Sequence, residues 1–173
     1  MKNVKLYNMI FPIYIWLYLF PGTVLISLAG NYLIDSLVVI ILSKIMLKKY
    51  DKNLYHNCIW RVWALGYASD VIGCLYLFGM SNIGYDYLLE ETQDSVLYQI
   101  MEGINNVTNH PDMLNTYSIW FIASAVLISA IAIFLFDYFI AFRKTEMTKK
   151  QKIIMSLSLA ILTAPYTFFL PTP

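Results

Sequence analysis

Three aspartates stand inside otherwise apolar stretches of the chain, and their chemistry raises the first question about function. Asp35, Asp70 and Asp137 are flanked on both sides by aliphatic and aromatic residues. If these stretches cross a membrane, an ionised aspartate at a helix centre costs roughly 2.5 to 3.5 kcal/mol. Intramembrane acids of this kind often bind cations or exchange protons. We therefore predict that the three aspartates line a ligand or ion pathway for a small cation or for protons.

Two of the aspartates share a helical face with small residues. Asp70 lies on the same face as Gly73, and Asp137 lies on the same face as Ala123 and Ala130. Small residues permit close helix contacts in membranes, so we expect both carboxylates to face the interior of a bundle. The two alanines are candidates either for the seam of a homodimer or for packing within one subunit.

Asn31 precedes Asp35 by one helical turn, so the two side chains form a polar strip on one face. We expect this strip to enter from the outer end and include Asn31 in the candidate pathway. Asp137 is close enough in sequence to Arg143 and Lys144 to reach the inner interface. An alternative stays open for all three acids: each is protonated or bound by a tyrosine, serine or tryptophan and only fixes helix packing.

The composition of the chain indicates an integral membrane protein. Of its 173 residues, 59% are hydrophobic and only 13% are charged, against about 45–50% and about 25% in soluble domains. The net charge of +1 and the two cysteines argue against a nucleic-acid-binding chain and against a disulfide-rich scaffold. We therefore expect the lipid bilayer to be its main partner and expect no nucleic acid.

The apolar blocks predict the number of membrane spans. A spanning helix needs about 20 apolar residues, and the first block is twice that length. We predict that it folds back at Ala29-Gly30-Asn31, with Asn31 capping the second helix; Pro21-Gly22 is the alternative turn. The predicted fold is all-α, an integral membrane bundle with about five transmembrane helices. The spans are 6–29, 32–48, 59–80, 117–142 and 153–170.

The charges predict the orientation of these spans. All 12 lysines and arginines fall on one side of the five-span topology, whereas the segment 81–116 contains none of them. The positive-inside rule makes the basic side cytoplasmic. We therefore expect the N-terminus inside, the C-terminus outside, and a multi-pass location in a cell membrane, in particular a bacterial cytoplasmic membrane. The outer loop 81–116 carries apolar residues at helical spacing, which predicts a short amphipathic helix from Asp94 to Gly103.

A competing interpretation treats Met1 to Ala29 as a cleaved signal sequence, since Lys2 and Lys5 precede an apolar run that ends in small residues. The apolar cores of signal peptides are about 7–15 residues long. This run is longer and contains two prolines, so the five-span topology is preferred.

The last span contains Pro165, which removes the hydrogen bond that the carbonyl of Ile161 would accept. Thr163 and Thr167 flank it. A break of this kind can line a site or only kink a helix, and we favour a kink.

Other chemistry finds little support. Cys58 and Cys74 lack CxxC spacing, and His56 beside Cys58 is too small a set for a metal site. No catalytic or nucleotide-binding motif is present. We therefore predict no enzyme activity, no cofactor and no metal.

The leading hypothesis is a small polytopic membrane protein that binds or translocates a small cationic species or protons through its buried aspartates. The alternative is a non-transporting accessory, sensor or immunity-type protein whose outer loop acts on a protein partner. A membrane enzyme acting on lipid ranks last because no catalytic constellation is visible.

Overall fold

A computed structural model describes residues 21–47, 52–88, 95–109 and 113–169. Within these ranges the chain is helical and contains no strand, which confirms the predicted all-α class. A π-helical turn, Asp137–Ala141, continues the fourth helix, and a short 3₁₀ turn, Tyr166–Phe169, follows the fifth. The α-helices are α1 Pro21–Leu47, α2 Lys52–Leu88, α3 Val96–Asn109, α4 Thr116–Phe136 and α5 Lys149–Leu162.

Side-chain caps begin the last two long helices. The side chain of Asn115 accepts from the backbone N–H of Ser118, and the Ser118 side chain returns a bond to the Asn115 backbone. Thr148 and Gln151 form the same reciprocal pair at the start of α5. Each pair satisfies two backbone donors that a helix start leaves without partners, so local sequence sets both boundaries.

Four segments of the described residues are long and apolar enough to cross a membrane. They alternate in direction, and α3 packs against the ends of α2 and α4 where these meet. This is the architecture of a multi-pass membrane protein. The segments are Leu28–Met46, Lys52–Gly84, Thr116–Ala141 and Lys149–Phe169.

The bundle is apolar outside and partly polar inside. On α1, Leu33, Leu37 and Ile45 are each more than half exposed, whereas Asp35 and Ser36 on the opposite side are buried. A soluble protein of this size would turn these faces the other way. The large exposed apolar surface therefore suits a hydrocarbon environment.

Two clusters of buried apolar side chains lie at opposite ends of the bundle. The first surrounds Phe142 and Leu159, near the exposed side chains of Lys44, Lys52 and Lys149; we name this side of the molecule the lysine-rich end. The second surrounds Leu77 and Phe121 near α3; we name this side the α3 end. Ala130 packs against both clusters, so this candidate for a homodimer seam contacts other helices of its own chain.

The hairpin turn predicted at Ala29-Gly30-Asn31 is wrong, because α1 continues through these residues without a break. One glycine inside a helix costs only about 1 kcal/mol. The Asn31 side chain donates a hydrogen bond to Asp70 of α2 instead of capping a new helix. Pro21 and Gly22, the alternative turn, also belong to α1, and residues 6–20 of the predicted first span lie outside the described residues.

Three other boundaries differ from the prediction. Helix α2 extends the predicted span 59–80 at both ends. Helix α3 continues past Gly103, which does not stop it: that glycine lies against Asn115 and Tyr117, where a side chain would not fit. The span predicted as 153–170 ends as an α-helix at Leu162.

The closest packing of α2 on α4 occurs at Gly73. A Cβ atom on this residue would overlap the Ser129 hydroxyl oxygen and lie 2.9 Å from a ring carbon of Phe168. Glycine at this position lets the two helices approach closely.

Gly73→Ala is expected to lower the free energy of unfolding by about 1–3 kcal/mol, since the added methyl group overpacks the contact. The matched control is Gly79→Ala on the same helix, where a Cβ meets nothing within 4 Å. Both variants are measured by denaturant unfolding in detergent micelles. Equal stability of the two variants would contradict the packing of α2 on α4.

Candidate functional site

The predicted pathway residues of α1 face α2. The Asn31 side-chain N–H donates to an oxygen of Asp70 over 3.3 Å. One helical turn along α1, an oxygen of Asp35 lies 3.6 Å from where a Cβ of Gly66 would be. The two helices are antiparallel, so Asn31 stands opposite Asp70 while Asp35 stands opposite Gly66. Because Gly66 has no side chain, Asp35 fits into the interface at this level.

Asp137 reaches the same interior from α4. It is only 1% exposed and is the first residue of the π-helical turn. Neither of its carboxylate oxygens has a hydrogen-bond partner among the described residues. The expected approach to the inner interface near Arg143 and Lys144 is therefore wrong: the carboxylate is fully enclosed. Turns of π-helix often occur at functional sites.

The three carboxylates follow one line through the bundle. Asp35 lies against Gly66, one turn from Asp70 along α2. Ile133 and Ala141, one turn to either side of Asp137, pack in the cluster that contains Cys58 of α2. Along α2, Asp70 and Gly66 are separated by about 6 Å and Gly66 and Cys58 by about 12 Å, at 1.5 Å per residue. Asp70 is thus nearest the α3 end, Asp137 nearest the lysine-rich end, and Asp35 lies between them.

Two buried serines accompany this line. The hydroxyls of Ser129 and Ser156, one oxygen of Asp70 and both oxygens of Asp137 have no hydrogen-bond partner among the described residues. A buried polar group without a partner costs about 1–3 kcal/mol. Such groups are rare in native proteins and are typical of strained or functional places. Several buried polar atoms near the acids therefore lack a hydrogen-bond partner among the described residues.

The break in α5 brings another hydroxyl to Asp35. Helix α5 ends at Leu162, and the Thr163 side chain lies near the Asp35 carboxylate. The same hydroxyl donates to the carbonyl of Leu159 over 2.9 Å. Pro165 therefore does more than produce the predicted kink, because it ends the helix beside an acid.

The carbonyl that Pro165 leaves without its helical donor is satisfied locally. The hydroxyl of Tyr166 donates to the carbonyl oxygen of Ile161 over 2.6 Å. This bond replaces the backbone donor that proline lacks. The Tyr166 hydroxyl thus stabilises the point at which α5 ends.

An aromatic cluster fastens α1 to α2 beside the site. The rings of Tyr32, Trp60 and Trp63 lie with centroids 5.4–6.1 Å apart. The indole N–H of Trp63 donates to the carbonyl of Leu28 over 2.8 Å. These contacts fix the register that places Asn31 opposite Asp70.

The described residues contain no group of three or more histidine, cysteine, aspartate or glutamate side chains placed to hold one metal ion. The carboxylates are spread along the axis instead of surrounding one point. Cys58 and Cys74 are both buried.

Sequence reasoning identified Asn31 and the three aspartates, but it missed Ser129 and Ser156. Serine is common in these helices, and nothing in its spacing distinguishes these two. Thr163 was noticed only because it lies near Pro165. Its partner Asp35 is distant in sequence, and no local pattern connects the two residues.

Comparison of the chain with protein-family models, with curated proteins and with solved structures finds no match in any of the three. Function must therefore be inferred from the site itself.

The contact between Asn31 and Asp70 predicts energetic coupling. In a double-mutant cycle, Asn31→Ala and Asp70→Ala are expected to be non-additive in the free energy of unfolding by about 1 kcal/mol, because each removes the same hydrogen bond. The control cycle pairs Asn31→Ala with Ser156→Ala, which share no partner, and is expected to be additive within about 0.5 kcal/mol. Additivity of the first pair would show that the contact contributes nothing.

Proposed function

We propose that this protein is a small multi-pass membrane protein that binds or translocates a small cationic species or protons through its buried aspartates. The observation that carries the proposal is that three buried acids lie at successive levels along the bundle axis, with Asp35 between Asp70 and Asp137. The acids come from three different helical segments. If each acid only fixed a separate packing contact, the three would not need to lie in line.

The electrostatics of the line support a positively charged guest. When two neighbouring carboxylates are ionised they repel each other, and low-dielectric surroundings strengthen that repulsion. A bound cation or proton next to Asp35 relieves the repulsion from both sides. Asn31 supports Asp70 with a donor, whereas Asp137 has no partner among the described residues.

The surface of the bundle supports the orientation that we propose. Exposed lysines gather where α1 ends and α5 begins, whereas the described residues of the α3 end carry no lysine or arginine. By the positive-inside rule the lysine-rich end faces the cytoplasm. In a bacterium, the protein then lies in the cytoplasmic membrane with α3 on the outer side.

Cysteine labelling tests this orientation. Single cysteines are introduced as Glu146→Cys at the lysine-rich end and Leu114→Cys at the α3 end, both exposed positions, while Cys58 and Cys74 are replaced by alanine. A membrane-impermeant maleimide applied to intact spheroplasts is expected to label only Leu114→Cys. After permeabilisation both variants should react. Labelling of Glu146→Cys before permeabilisation would invert the topology.

Removal of the acids is expected to abolish function. Purified Asp35→Asn and Asp70→Asn proteins in liposomes should lose cation binding and movement by about tenfold or more, since a neutral amide neither balances a cation nor exchanges a proton. The matched control is Glu146→Gln, which removes an exposed acid at the lysine-rich end. Sodium, an organic cation and protons are each assayed. Wild-type behaviour of both aspartate variants in an active preparation would refute the proposal.

The alternative function is supported by one surface feature. Val96, Leu97, Met113 and Leu114 expose apolar side chains around α3 at the α3 end. Such a surface suits contact with a protein partner in the membrane. If the aspartate variants behave like the wild type, the preferred function becomes that of an accessory, sensor or immunity-type protein that acts through this surface.

A further inference from the structure

The Thr163 hydroxyl, which lies near Asp35, can exchange hydrogen bonds in either direction. A hydroxyl both donates and accepts, and a carboxylic acid does the same once it is protonated. The Thr163 hydroxyl donates to the Leu159 carbonyl while it lies beside Asp35. It can therefore accept a hydrogen bond from protonated Asp35, or turn and donate to the ionised form. Thr163 suits both protonation states of its neighbour.

Several backbone carbonyl groups at the α5 break already accept hydrogen bonds. The carbonyl oxygens of Ile161, Ala164 and Pro165 accept hydrogen bonds from Tyr166 and Phe168. Metal cations in broken helices are often coordinated by carbonyl groups that the break releases. In this break three such carbonyl groups bind the chain's own donors, so they are not free to coordinate a cation.

The spacing of the acids also suits stepwise transfer better than a single binding cage. Successive acids are separated by one helical turn or more along the axis, and the described acids do not gather around one point. Other titratable groups flank the ends of the line: Tyr67 lies three residues from Asp70 on α2, and Cys58, three residues from Arg61, lies in the cluster that packs around the residues beside Asp137. No second acid shares the central position with Asp35 among the described residues.

Resting on the function proposed above, we propose that the species carried is the proton and that it passes along Asp70, Asp35 and Asp137 in that order or its reverse. Thr163 is the positioning residue of the central acid.

Each step conserves atoms and charge. The protonated carboxyl group of Asp70 loses its O–H bond, and the proton passes through one bridging water molecule to ionised Asp35, where a new O–H bond forms. The electron pair of the broken bond stays on Asp70, which becomes a carboxylate. The levels of Asp35 and Asp137 are about 12 Å apart along the axis, so this transfer runs through a longer chain of water molecules: the O–H bond of Asp35 breaks, its electron pair stays on Asp35, and a new O–H bond forms on Asp137. Asp70 then takes up a new proton from the α3 end, and Asp137 releases its proton toward the lysine-rich end.

The full chain in liposomes of phosphatidylethanolamine and phosphatidylglycerol tests this inference. An internal pH dye reports proton entry when a potassium gradient and valinomycin make the interior negative. Wild type is expected to acidify the interior faster than protein-free liposomes, and Asp35→Asn to reduce that rate by about tenfold or more. Asp137→Asn should act likewise, and Glu146→Gln should match the wild type. Size-exclusion chromatography first confirms that each variant is folded.

Parallel liposomes measure uptake of radioactive sodium and of tetraphenylphosphonium. Uptake of either cation without proton flux would overturn the proton relay and leave the proposed function standing. The absence of all three fluxes would overturn both. Proton flux that survives in Asp35→Asn would overturn the central place of Asp35 in the relay.

Two substitutions test the positioning role of Thr163. Thr163→Val removes the hydroxyl and keeps the shape, so it is expected to slow proton flux by about tenfold. Thr163→Ser keeps the hydroxyl and should restore flux to near the wild-type rate. A purely structural role would make both variants equal in flux, and that result would overturn the assignment of Thr163.

Discussion

The contact between α1 and α2 is the constraint on which the interior depends. It sets Asn31 against Asp70 and Asp35 against Gly66, so two acids enter the bundle from neighbouring helices at adjacent levels. The aromatic rings of Tyr32, Trp60 and Trp63 hold this register from the side. A rotation of α1 that put Asp35 in the place of Ile34 would turn it toward the apolar exterior, where hydrocarbon penalises its charge.

The rest of the bundle accommodates that polar line. Gly73 permits α4 to approach α2 closely and brings Ser129 to the level of Asp70. At the other end, the π-helical turn begins at Asp137 and keeps its carboxylate enclosed. The break in α5 adds Thr163. Apolar side chains meanwhile cover the exterior, so the polarity of the molecule is inverted relative to a soluble domain.

Prediction from the sequence succeeded where the signal was local. Hydropathy located the helices, and the intramembrane cost of a charge singled out the three aspartates. It failed at Ala29-Gly30-Asn31, where glycine and asparagine imitate a turn although α1 continues. It failed again at Gly103, where glycine serves close packing against Tyr117 instead of ending a helix. In both places a tertiary contact outweighed a weak local preference.

The sequence by itself determined the class of protein, its helical content, and the identity of Asn31, Asp35, Asp70 and Asp137 as unusual residues. These properties follow from composition and helical periodicity, which act over one or two turns. Only the tertiary structure decided their order along the axis and recruited Thr163 from α5. The reason is that helix register and facing depend on side-chain packing between segments far apart in the chain, and no local pattern encodes that choice.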